Sequence, residues 1–234
     1  MSTRRRRTPG NDSTFLGATD TGRSIWQSGY WLVLALLTVS YVLCAIQTSP
    51  NPSLIALLFQ LVTVAATLWV AQVKPSIRRL GWAILTAVGL AVVIVQLGGV
   101  EGRLLGVILS TASMLAYLVA PVAIIAHQAR KMRVDGQTFL AAISAYIMVG
   151  MFFTFAYSLA ALSTAQPLFG EGDEDTLTSR LFFSFTTLTT TGYGNLVPVG
   201  ALAQSVAIME AIAGQLFLVV VVARVVSGWQ PQRR

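Results

Sequence analysis

An all-α membrane protein, with six transmembrane helices and a re-entrant segment ahead of the last one, is the fold class this sequence predicts. Three observations carry the prediction. The composition is 55% hydrophobic and only 11% charged, with a mean hydropathy of +0.70, whereas water-soluble domains carry about 25% charged residues. The few charges fall in short clusters that bracket long uncharged runs, each close to the roughly 20 residues that cross a bilayer core. One apolar run is too short to cross and leads into a Thr- and Gly-rich return, as in a loop that enters the membrane and leaves on the same side. The net charge of +7 would fit a nucleic-acid binder, but basic clusters between membrane-length runs exclude that class. Cys44 and His127 are each the only residue of their type, which excludes an internal disulfide and a multi-histidine or cysteine-rich metal site.

The elements follow in order. No charged residue lies between Arg23 and Lys74, and Pro50-Asn51-Pro52 interrupts the run near its middle. Proline lacks the amide that continues a helix, so this run is two spans, 30–47 and 53–72, joined by a turn. Arg79 and Glu101 bracket a third span at 80–97, and Arg103 and Arg130 a fourth at 104–126. The stretch from Asp135 to Glu171 holds a fifth at 139–161 and an outer loop; the sixth is the apolar run 201–226. With an internal start, fourteen Lys and Arg fall on one side, among them residues 4–7, Arg78, Arg79, Arg130, Lys131 and Arg133, while only Arg103 and Arg180 fall on the other. By the positive-inside rule both termini are cytoplasmic. Residues 1–24 read as a disordered basic tail, 130–138 as a cytoplasmic linker and 228–234 as a short tail, none large enough for a folded ligand-binding domain.

Between spans five and six, the acidic residues Glu171, Asp173, Glu174 and Asp175 precede an apolar helical stretch at 178–187. Then comes Thr187-Leu188-Thr189-Thr190-Thr191-Gly192-Tyr193-Gly194, followed by Asn195 and, before the last span, Pro198. This run closely resembles the signature of the tetrameric potassium-channel superfamily, whose filter replaces the ion's hydration shell with backbone carbonyl oxygens. Gly214 lies twenty residues beyond Gly194, where an inner-helix glycine of that superfamily falls. The likeness extends over roughly residues 139–226, and the chain resembles bacterial six-span channel proteins.

The resemblance implies a homotetramer with one pore on its fourfold axis, passing K+ as the permeant ion with no cofactor. Residues 139–227 would be the pore domain and 25–129 a four-helix non-pore domain, in a bacterial inner membrane and surrounded by lipid. The carbonyls of Thr190, Thr191, Gly192 and Tyr193 would form the ion sites, with Gly194 completing the filter. Aiming successive carbonyls at one axis needs alternating backbone handedness, which glycine reaches at little steric cost. Thr186, Thr187, Asn195 and Glu210 are expected to support the filter. Gly214, Gln215, Leu218 and Val222 are expected at the cavity and gate, and the four acidic residues at an outer mouth that concentrates cations. Glu210, the one ionisable residue deep in a span, is expected to brace the pore helix or filter through Thr186, Thr187 or Thr191.

Four positions depart from the family pattern. Asn195 stands where Asp is usual, Phe182 and Phe183 where an indole is frequent, and Thr191 where Val or Ile is commoner. The carboxylate-to-indole bonds behind the filter therefore cannot form, which predicts a filter more dependent on external potassium. The Thr191 hydroxyl needs a partner of its own.

No charged residue occurs from Leu104 to Ala129, so the arginine ladder of a voltage sensor, in which each charge is worth about 2.3 kcal/mol per 100 mV, is missing. The leading expectation is a passive potassium channel without strong voltage gating. A weakly selective monovalent cation channel is the alternative, and a potassium-transporter subunit a more distant one. No catalytic constellation is present, and the chain is not expected to be an enzyme.

Overall fold

The computed structural model describes residues 19–47, 54–70, 75–97, 103–128, 136–164, 167–170 and 175–228. They form seven helices: α1 (Thr19–Ala45), α2 (Leu54–Val70), α3 (Pro75–Leu97), α4 (Arg103–Gln128), α5 (Gly136–Ser163), α6 (Leu177–Leu188) and α7 (Ala201–Gly228). The protein is thus an all-α membrane protein. By length and apolarity three segments suffice to cross a membrane, Arg103–Val122, Gly136–Ser163 and Ala201–Arg224, while Gly29–Ala45 and Ile55–Val70 are shorter apolar helices.

Helix boundaries follow local chemistry. α3 opens on Pro75, whose missing amide costs nothing at the first helical position. α4 runs through Pro121 without stopping, as helices in apolar surroundings do when neighbours hold the freed backbone. α6 is capped by Thr176, whose hydroxyl accepts the Ser179 amide at 3.1 Å. Two boundaries differ from expectation. Helix α1 reaches back over residues 19–24, assigned above to the disordered tail, and α5 starts at Gly136, inside the stretch read as linker. In both places no proline stops the backbone from extending the helix outward. The basic residues 4–7, Lys74, Arg130, Lys131 and Arg133 lie outside the described residues.

α4 packs along α5, α2 lies against α1 and α4, and α3 against α2 and α4. α6 is enclosed by α1, α5 and α7. One core unites α1 to α6 around Leu37, Leu68, Leu85, Tyr117, Met148, Phe155 and Leu181, with the Tyr117 and Phe155 rings stacked 6.1 Å apart. A second joins Phe153, Tyr157, Phe169, Phe183 and Val206. Small residues let helices approach: a Cβ at Gly81 would strike Leu68, and one at Gly150 the ring of Phe185. Several polar side chains inside bond to each other or to their own helix. Ser40 and Tyr117 hydroxyls meet at 2.7 Å, and Thr63 and Thr67 donate to the carbonyls of Phe59 and Thr63.

Two ties bring helix ends to one level. The Thr178 hydroxyl at the start of α6 sits against Ala45 O at 3.0 Å and Gln47 O at 2.7 Å, at the end of α1. Arg103, at the start of α4, donates to Leu162 O near the end of α5, from Nε at 2.8 Å and from Nη2.

Candidate functional site

The segment between α6 and α7 is built from the end of α6 outward. A helix leaves its last four carbonyls without intrahelical partners, and here each finds one. Phe185 O accepts the Thr189 amide at 3.0 Å and the Thr189 hydroxyl at 2.7 Å. Thr186 O accepts the amides of Thr191 and Gly192 at 2.8 and 3.2 Å, and Thr187 O accepts that of Thr190 at 3.0 Å. The fourth, Leu188 O, accepts the Tyr146 hydroxyl of α5 at 2.9 Å. The amides of residues 189–192 are all spent backward on α6. Among the described residues, nothing donates to the carbonyl oxygens of Thr190, Thr191, Gly192 or Tyr193. The segment therefore offers acceptors from these positions, with the amides of Thr190, Thr191 and Gly192 turned away to α6.

Its backbone alternates in hand. Thr190, Gly192 and Gly194 have φ of 57°, 51° and 78°. For the glycines this is nearly free. For a β-branched threonine the left-handed region is a genuine outlier costing about 1–2 kcal/mol. Such strain persists only where the surroundings over-determine it, and it gathers at functional sites. The Thr191 hydroxyl finds its partner in Thr189 Oγ1 at 2.8 Å, which itself donates to Phe185 O. Thr186 and Thr187 meet the segment through backbone carbonyls; the Thr186 hydroxyl bonds to Phe183 O of its own helix at 3.0 Å.

The aromatic positions have their own contacts. Phe182 stacks on Tyr193, centroids 5.7 Å apart and planes 13° apart. Phe183 turns inward, edge-on to Tyr157 at 5.1 Å and to Phe169 at 5.2 Å. Asn195 is exposed. Beyond it, Phe169 and Pro198 form an isolated antiparallel bridge, and Val199 N donates to Leu168 O at 2.9 Å.

Behind the segment, α5, α6 and α7 meet in two layers one helical turn apart. In the first, Glu210 is fully buried, its Oε1 2.6 Å from Ser184 Oγ and its Oε2 accepting the Tyr157 hydroxyl at 2.7 Å; Ser184 Oγ is also 2.8 Å from Gly150 O. Glu210 thus braces α6 through Ser184, not through Thr186, Thr187 or Thr191 as expected, because Thr186 and Thr187 follow Ser184 on α6 and Thr191 lies beyond its end. In the second layer, Leu188 O meets Tyr146, and a Cβ at Gly214 would overlap that same oxygen. Gly214 is buried at a helix-packing contact, whereas Gln215, Leu218 and Val222 are exposed on the free face of α7.

At the other end of α6, Asp175 Oδ1 takes Arg180 Nε–H at 2.7 Å, with Arg180 only 3% exposed. Its charge is balanced within the chain, which departs from the expected role at a cation-gathering mouth. Glu171, Asp173 and Glu174 lie outside the described residues. Sequence reasoning did not find Tyr146, Tyr157 or Ser184. Their one signal was a hydroxyl in an apolar run.

Residues 142–228, which take in most of α5 and all of α6 and α7, match a family model described as "Ion channel". No curated protein and no solved structure matches the chain. The family match supports an ion channel.

Proposed function

We propose that the chain is a potassium-selective channel that conducts K+ passively through a filter at the fourfold axis of a homotetramer. The observation that carries the reading is the segment 190–194: the amides of Thr190, Thr191 and Gly192 are committed to α6, its carbonyls accept nothing among the described residues, and its backbone alternates in hand. Four such segments around an axis would give stacked rings of oxygens, which can replace the hydration shell of a monovalent cation. In this reading α6 is the pore helix, α5 the outer helix and α7 the inner helix. The negative pole of α6 at Leu188 favours a cation on the inner side of the filter. Gln215, Leu218 and Val222 line the cavity.

The need for partner chains is supported by α7. Only 11% of its most apolar window is buried within the chain, against 50% for those of α4 and α5. The helix-end ties of α1 to α6 and of α4 to α5 support six alternating spans, since they put on one side the ends that such crossings would bring out together, and the Lys/Arg bias supports cytoplasmic termini. The uncharged fourth span supports gating without strong voltage dependence. The second reading, a weakly selective monovalent cation channel, is favoured by the exposed Asn195 and the donor-less Phe182, which leave Tyr193 held by ring stacking alone on that side.

The test is reconstitution in planar bilayers under K+/Na+ gradients, wild type against Gly192→Ala. An alanine forced to φ 51° costs about 1–2 kcal/mol in every chain, so K+ conductance should collapse. Equal currents from the two would reject the filter, and a reversal potential blind to exchange of K+ for Na+ would select the second reading.

A further inference from the structure

Glu210 is a buried acid whose chemistry carbonyl coordination does not use. We infer that it carries a proton and acts as a neutral hydrogen-bonded clasp, with Ser184, Tyr157 and the Gly150 carbonyl, that positions α6 behind the filter. The inference deepens the channel reading and rests on it for its role.

The cluster holds too few hydrogens for an ionised carboxylate. Ser184 Oγ lies 2.6 Å from Glu210 Oε1 and 2.8 Å from Gly150 O. A full-strength bond at each of these oxygen–oxygen distances needs a hydrogen of its own. A serine hydroxyl has one hydrogen, and a backbone carbonyl only accepts. Tyr157 already gives its hydrogen to Oε2 at 2.7 Å. With an ionised carboxylate, Ser184 would bond to one neighbour and face the other lone pair to lone pair.

A proton on Oε1 removes the conflict. Glu210 then donates to Ser184, Ser184 donates to Gly150 O, and Tyr157 donates to Oε2. Gly150 O, which also takes the Thr154 hydroxyl at 2.9 Å, is where the chain ends. The acid's two bonds are to neutral hydroxyls. The cation one turn earlier on α6, Arg180, gives its Nε–H to Asp175. A bare carboxylate in this apolar core would bear the full penalty of leaving water. The same four residues join three helices, and Gly150, Ser184 and Glu210 are each one turn from the Tyr146–Leu188–Gly214 layer that holds the end of α6.

Glutamine reproduces the neutral acid: its carbonyl accepts from Tyr157 and its N–H donates to Ser184. In lipid nanodiscs, Glu210→Ala should therefore lose at least about tenfold of K+ flux, and Glu210→Gln should recover most of it. Infrared spectra near neutral pH should show a protonated-carboxyl stretch in wild type that shifts in D2O and is missing from Glu210→Gln. Loss of carboxylate bands instead, or Gln behaving like Ala, overturns the inference. Should the Gln variant not assemble, the wild-type band and its shift in Ser184→Ala decide alone, and a wild type with no protonated-acid band is the overturning result. The band reads the proton whether or not the chain conducts, so a band without K+ current would count against the channel reading only.

Discussion

Replacing Gly214 with alanine tests the close packing at the end of α6. An inner-helix glycine invites a hinge interpretation, yet here the absent side chain leaves room for the Leu188 carbonyl oxygen, and Leu188 Cδ1 would lie 3.1 Å from the new methyl. Three terms set the outcome. Alanine is favoured over glycine inside a helix by about 1 kcal/mol. Overlap with backbone in a packed interface costs about 1–3 kcal/mol. If Leu188 O moves aside, its bond from Tyr146 is weakened, worth about another 1 kcal/mol. The sum is a loss of about 1–3 kcal/mol per chain, felt directly at the end of α6 that leads into residues 190–194. Gly89 on α3 is the control, because nothing lies within 4 Å of a Cβ there, and only the favourable propensity term remains. Thermal unfolding in nanodiscs should show Gly214→Ala melting below wild type and Gly89→Ala at or above it, with K+ flux impaired only in the former. Matching melting points and fluxes for the two variants would refute the packing argument.

Two further outcomes follow from contacts away from residues 190–194. Asp175→Asn leaves the buried Arg180 without its carboxylate partner, and breaking a buried pair costs about 3 kcal/mol; thermal stability should fall while unitary conductance at low ionic strength stays level, whereas a cation-gathering role for Asp175 predicts the opposite pattern. Tyr117→Phe deletes the 2.7 Å bond to Ser40 between α4 and α1 and leaves a buried hydroxyl without it, at about 1–3 kcal/mol; the variant should unfold earlier in denaturant and conduct as wild type does, and unaltered unfolding would show that the bond does not tie the two helices.

What could be read along the chain was whatever depends on near neighbours in sequence. Charge-bracketed apolar runs located α2 and α4 to within a few residues, because the energy of putting a helix in lipid is nearly a sum over its own side chains. The threonines and glycines of residues 187–194 declared a backbone of alternating hand, since that depends on which residues tolerate positive φ. Partnership across helices was another matter. Glu210 was legible as a buried acid needing a partner, but Ser184 and Tyr157 stand 26 and 53 residues away, and a hydroxyl in an apolar run announces no address. Gly214 was visible as a glycine at a telling distance from Gly194, yet only the approach of α7 to Leu188 shows that its missing side chain is filled by a carbonyl. Asp175 looked like one of four mouth carboxylates until the first turn of α6 brought Arg180 against it. Local backbone preference and lipid transfer are properties of short stretches, whereas hydrogen-bond closure in a dry interior is decided by which helix faces meet.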